Sequence, residues 1–140
     1  MAGYVETHRT VVAPADCDHL GHMNVQHFFA AVGDGMFGIQ SLLGLGPEDV
    51  RNGRGLSFAV VHAESVFKAE VLAGDIVVLE SAVVEIGGKS GTFHHRLIKA
   101  EDGTVVFEAR LKCALLDLKT RRAATVPEDV RARAKDLTAA

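Results

Sequence analysis

The stretch Thr104-Val105-Val106-Phe107-Glu108-Ala109-Arg110-Leu111-Lys112-Cys113-Ala114-Leu115-Leu116-Asp117-Leu118 alternates through its middle. Val105, Phe107, Ala109, Leu111, Cys113 and Leu115 fall on one side, and Glu108, Arg110 and Lys112 on the other. Successive side chains leave a pleated strand on opposite faces, so period two with a single apolar face marks a half-buried antiparallel strand. Working back along the chain, Leu56 to Lys68, Ile76 to Ile86 and Thr92 to Ala100 read as three more strands. Ala73-Gly74-Asp75, Gly87-Gly88-Lys89 and Glu101-Asp102-Gly103 supply the turn residues between them. Tyr4 to Val12 reads as a first strand anchored by Val5, Val11 and Val12, and Pro14, which has no N–H to give a ladder, ends it.

Asn24 to about Leu43 reads as a helix. Phe28, Phe29, Val32, Met36, Ile39, Leu42 and Leu43 recur at helical spacing on a face wide enough for burial on most sides. Asn24 suits the N-cap, because its side-chain oxygen takes a free backbone N–H. Gly33, Gly35 and Gly38 each cost about 1 kcal/mol against alanine, which predicts close packing of the helix backbone on a sheet. Gly44 to Gly55 reads as a loop, and Pro127, as the first helical residue, opens a short helix to about Leu137. The order of strand, long apolar helix and four long strands predicts an α+β fold, one central helix wrapped by a five-stranded antiparallel sheet, in one domain spanning 1–140.

The 140 residues are 48% hydrophobic and 24% charged, in the range of a globular domain. A net charge of −3 and the absence of Trp exclude a dedicated nucleic-acid binder, and no apolar run nears the ~20 residues of a membrane helix. Met1 to Thr10 holds no apolar signal core, and Cys17 and Cys113 form no disulfide framework or metal spacing, so a reducing cytoplasm is expected. The charge is uneven. Lys119 to Ala140 carries six basic and three acidic residues, read as a solvated terminal helix or an anion-attracting tail.

The densest polar cluster is Ala15-Asp16-Cys17-Asp18-His19-Leu20-Gly21-His22-Met23-Asn24, between the first strand and the helix. Free N–H groups and the dipole at a helix N-terminus stabilise an anion, which suits the oxyanion of acyl transfer. A carboxylate beside it supplies a base or nucleophile. The set Asp16, Asp18, His19, His22 and His27 has no standard metal-ligand spacing, and no metal is expected. His94 and His95 alternate to opposite faces, whereas His62 is expected to share a face with Val60, Glu64 and Val66, where it either lines a substrate pocket or is simply bonded at an interface.

The pattern Asp16-Cys17-Asp18-x-x-Gly21-x-x-Asn24, opening a long helix after a first strand, resembles the hotdog-fold acyl-CoA thioesterases, nearest in likeness to the 4-hydroxybenzoyl-CoA thioesterase branch. Gly74-Asp75 and Lys89-Ser90 also match, and the likeness runs from about residue 5 to 127. It implies a homodimer or dimer of dimers with active sites between subunits, and hydrolysis of acyl-CoA without a separate cofactor. By the same resemblance Asp18 is the catalytic carboxylate and the Val25 N–H the oxyanion donor. Lys89 and Ser90 meet the coenzyme phosphates. His22 and Asn24 belong to the catalytic loop, and Gly21 and Phe28 to the substrate site. Phe28 stands where many relatives have Tyr, Gly33 where a helix Glu is common, Glu70 in place of a Pro, and Gly87 and Gly88 in place of arginines. The competing readings are a non-catalytic acyl-CoA-binding hotdog domain and a hotdog hydratase that pairs His22 with Asp18.

Overall fold

The computed structural model describes residues 3–138; residues 1–2 and 139–140 of the expected domain lie outside it. The chain runs β1 (Val5–Val11), α1 (Val25–Leu42), α2 (Pro47–Asn52), β2 (Leu56–Phe67), β3 (Ile76–Ile86), β4 (Ser90–Lys99), β5 (Val105–Asp117), β6 (Arg122–Ala123) and α3 (Glu128–Lys135). All strands pair antiparallel in one sheet ordered β1-β3-β4-β5-β2, with the two-residue β6 added on β5. Helix α1 lies across the concave face. Its Phe28, Ala31, Val32, Met36 and Ile39 meet Leu79, Phe93, Leu97, Phe107, Ala109 and Leu111 of the sheet in one core.

Several expectations change. The loop expected over Gly44 to Gly55 contains α2, which Pro47 starts and Glu48 and Asp49 favour at its positive end. The buried stripe of α1 is narrower than read: Phe29 and Leu42 are exposed, as is Val11 of β1. Pro127 is the N-cap of α3 and not its first helical residue. Gly35 and Gly38 do pack closely, since a Cβ on either would press on Thr7, while Gly33 has open space around it.

Among the described residues four register shifts interrupt the sheet, and two of them bear on faces read from the sequence. Leu97 pairs with Phe107 but Ile98 with Val105, so Val106 is an extra residue and turns inward beside Phe107. On β2, Val60 pairs with Cys113 and His62 with Lys112, which leaves Val61 unpaired. Residues directly opposite share a face of the sheet. Val60 therefore faces the helix with Cys113, and His62 faces outward with Lys112. The sequence-based expectation that His62 and Val60 share a face is corrected by that single inserted residue.

The core also holds a polar chain. His95 is fully buried, with Nδ1 2.6 Å from Ser81 Oγ and Nε2 3.2 Å from Met36 Sδ, and Thr7 Oγ1 is 2.7 Å from Ser81 Oγ. A thioether sulfur only accepts, so Nε2 carries the proton and Nδ1 accepts from the serine hydroxyl. Burial drives the His95 pKa down to about 4 and the Cys113 thiol up to about 12, which keeps both neutral.

Candidate active site

The loop between β1 and α1 is tied at three places. Val12 N–H donates to Asp75 O at 2.9 Å, Met23 N–H to Val71 O at 2.7 Å, and Asn24 N–H to Asp16 O at 2.9 Å. Between these ties Asp18 to Gly21 forms a tight turn, with Gly21 N–H donating to Asp18 O at 3.0 Å. Gly21 has φ +86°, a left-handed conformation that glycine adopts without strain. The Asp18 side chain closes the same turn, its Oδ1 accepting from Leu20 N–H at 2.9 Å. Its Oδ2 accepts from Asn24 Nδ2, also at 2.9 Å.

Asn24 serves two purposes. Its Oδ1 accepts from Gln26 N–H at 3.2 Å and caps α1, while its amide nitrogen holds Asp18. Among the described residues no acceptor meets the N–H of Val25, the first helical residue, as expected where a helix begins. The Leu20 amide, chiefly, holds the Asp18 carboxyl below its ordinary value; burial opposes it, and the Asn24 amide and the nearby His22 and His19 add smaller lowering effects. Asp18 is thus ionised at neutral pH, with both oxygens oriented.

Asp18, His22, Asn24, Val25 and Phe28 line one cleft of about 470 Å³. Leu20, Met23, Phe67, Lys68, Ala69 and Glu70 complete it. Phe28 and Phe67 meet edge to face at 5.2 Å, and both rest on Phe107, at 5.1 and 4.8 Å. The Phe67–Glu70 wall escaped the sequence reading. Its signal was the apolar residue that closes β2, but only the bond from Met23 to Val71 brings that strand end to the loop.

His22 does not bond Asp18: its Nδ1 lies 3.4 Å from Met23 O. Asp16 accepts from Ala13 N–H at 2.9 Å and lies 3.6 Å from His27 Nδ1. Among the described residues no three His, Cys, Asp or Glu side chains converge as metal ligands. Three expected site residues lie elsewhere in the chain. His62 faces outward, 3.2 Å from Glu64 Oε1. Lys89 and Ser90 stand at the β3–β4 turn, at the Ile86 end of β3, whereas Ile76 at its other end pairs with Val11 beside the loop.

No curated protein matches the chain in sequence. Among solved structures, a hypothetical protein from Staphylococcus aureus in complex with CoA superposes with a TM-score of 0.86 at 18% identity, covering 100% of this chain and 90% of that one. A thioesterase-superfamily structure from Jannaschia gives 0.85 at 20% identity, covering 99% and 94%. A 1,4-dihydroxy-2-naphthoyl-CoA thioesterase from Synechocystis gives 0.80 at 18%, covering 96% and 98%. These likenesses establish the hotdog fold. The sequence profile of the thioesterase-like superfamily matches residues 12–134, from the residue after β1 through the Asp18 loop, α1 and the remaining strands into α3, and the chain belongs to that superfamily.

Proposed function

We propose that this protein is an acyl-CoA thioesterase that hydrolyses its substrate to a free acid and coenzyme A. The observation that carries the reading is the presence, in one cleft, of an oriented ionised carboxylate at Asp18 and an unengaged helix N-terminal amide at Val25. The apolar wall of Phe28 and Phe67 suits the acyl group. Asp18 attacks the thioester carbonyl or takes a proton from the water that does; the C–S bond breaks, and the Val25 N–H bears the developing oxyanion. The coenzyme leaves as a thiolate, so the step asks for no cofactor. A neighbour in complex with CoA supports the choice of ligand. The two free cysteines suit the proposed cytoplasmic setting.

A thiol-release screen over acyl-CoA chain lengths and aryl groups tests this, with turnover of at least one member expected. Binding of CoA with no thiol release from any member would assign the chain instead to a non-catalytic acyl-CoA-binding role. Single turnover in ¹⁸O-labelled water tests for covalent attack, since label enters the Asp18 carboxylate only when water opens an aspartyl–acyl anhydride at the aspartyl carbonyl.

The working unit is proposed as a homodimer, or a dimer of dimers, with the site shared. Val60, Val61, Val66 and Phe67 of edge strand β2 are exposed, as are Phe29 and Phe37 of α1, and unpaired strand edges invite pairing. Lys89 and Ser90 of one copy then meet the coenzyme whose thioester lies at Asp18 of the other. Mixing Asp18→Asn chains with Lys89→Glu chains checks it: activity above either parent is expected, and a fully active monomer would refute it.

A further inference from the structure

The basic excess after Lys119 has no part in the reaction as proposed, and the turn Gly87-Gly88-Lys89-Ser90 enters it only through Lys89 and Ser90. The fold brings them together. Helix α3 buries Val130, Ala134 and Leu137, and Val83 N–H of β3 donates to Leu137 O at 2.7 Å. From this docked helix Arg131 reaches back to the turn. Its Nη2 donates to Gly87 O at 3.0 Å, and its Nη1 lies 3.4 Å from Ile86 O. Val126 N–H donates to Gly88 O and Leu115 N–H to Lys89 O, both at 2.9 Å. Four successive carbonyls, from Ile86 to Lys89, are thereby turned into the protein and occupied.

The outward side of the turn is left with donors. Among the described residues no acceptor meets the N–H of Gly88 or Lys89, and Gly88, Lys89 and Ser90 are all exposed. Adjacent exposed amides without acceptors, next to a lysine, offer donors of the kind that suit a phosphate. The turn's own sequence offers one cation, Lys89; the half-buried guanidinium of Arg131 behind it is the second.

We infer that Arg131 is a positioning residue for nucleotide recognition: by holding the Ile86 and Gly87 carbonyls it presents the Gly88 and Lys89 amides, with the Lys89 ammonium, to a phosphate of coenzyme A. This rests on the reading of the ligand as an acyl-CoA. Arg131 does not touch the reacting atoms, and its effect belongs to the part of the ligand that pantetheine lacks.

Calorimetric titration of wild type, Arg131→Met and Arg131→Lys with coenzyme A and with pantetheine tests the inference. Hydrogen bonds to charged groups of this kind predict a dissociation constant for coenzyme A about tenfold weaker in Arg131→Met, with pantetheine binding unaltered. Arg131→Lys keeps a charge and the helix packing, so it restores part of the affinity, and it carries the comparison if Arg131→Met does not fold. On the best substrate of the thiol-release screen, KM rises while kcat holds. Equal weakening toward both ligands would make Arg131 merely structural, and an unchanged affinity for coenzyme A would remove its role altogether. Thiol release by a wild type that binds coenzyme A no better than pantetheine overturns this inference and leaves the catalytic reading standing. Arg131-dependent binding without thiol release does the reverse.

Discussion

At the Ile76 end of β3 the Asp18 carboxylate is oriented by bonds that reach only two and six residues along the chain. At the Ile86 end the Gly87–Ser90 turn is held by a guanidinium 44 and 45 residues away. In the first region the residues that make the local fold are also those that face the cleft. In the second the Arg131 guanidinium holds the turn's carbonyls from α3, while the Gly88 and Lys89 amides stay exposed. If the proposed function holds, a point change in the loop reads out directly in chemistry, whereas the turn is disturbed from a distance by whatever loosens α3.

The largest expected effect sharpens the first half of that contrast. Asp18→Asn keeps the size of the side chain but removes the base and nucleophile, and kcat falls by about 10²–10⁴. Thermal unfolding of the variant stays close to wild type, because the ties at Val12, Met23 and Asn24 do not depend on the carboxylate charge. Turnover near the wild-type rate in folded Asp18→Asn would remove Asp18 from the reaction.

Next in size is the core that joins the two ends. His95 sits inside β4 with its folded pKa near 4 against an ordinary 6.5. The unfolded chain takes up the proton first as pH falls, so stability is lost progressively from about pH 6.5 down to about pH 4 and levels off below. The full span of that loss is roughly 3 kcal/mol. Urea denaturation at pH 7 and pH 4.5 measures it, and His95→Gln is expected to flatten the dependence. An equal slope in the variant would assign the acid sensitivity to other groups.

Asn24→Ala tests whether fold and chemistry share a residue at the loop end. Loss of the cap costs about 1 kcal/mol, read as a lower denaturation midpoint. Loss of the amide to Oδ2 removes one of the bonds that hold the Asp18 carboxyl low, so its pKa rises and the acid limb of the activity profile moves to higher pH. A variant that is less stable but keeps its acid limb would separate the two roles.

What was legible in the sequence follows the same contrast of reach. The alternation of β5, the N-cap at Asn24 and the Asp18–Asn24 cluster are local patterns, and they lead to the wrapped helix and to one side of the cleft. The inserted residues at Val61 and Val106 leave no mark in hydrophobic periodicity, since both sit in strings of apolar residues, and so the face of His62 was misread. The Phe67–Glu70 wall and the Arg131 contacts join segments far apart in the chain, and no spacing rule reaches that distance. Helix α2 is short enough for its proline and glycines to read as a loop.

Gly33 and Gly35 look alike in the sequence, and one last prediction separates them. Around Gly33 a methyl group meets nothing within 4 Å. Alanine there is expected to stabilise the helix by up to about 1 kcal/mol, chiefly by narrowing the unfolded ensemble. At Gly35 a Cβ would fall on the side chain of Leu79, which is fully buried and has no room to withdraw, and 2.9 Å from Oγ1 of the half-buried Thr7. Overpacking of that kind costs about 1–3 kcal/mol. Opposite shifts in melting temperature for Gly33→Ala and Gly35→Ala are therefore expected from the same chemical change two residues apart. The pair also bears on the shared-site proposal, because Gly33 lies in the apolar cleft with Phe29, Val60 and Ala63 on the side of α1 that meets β2. A fall in melting temperature for Gly33→Ala, deepening with protein concentration as the dimer is crowded, would show that a second copy fills the space that is open in one chain.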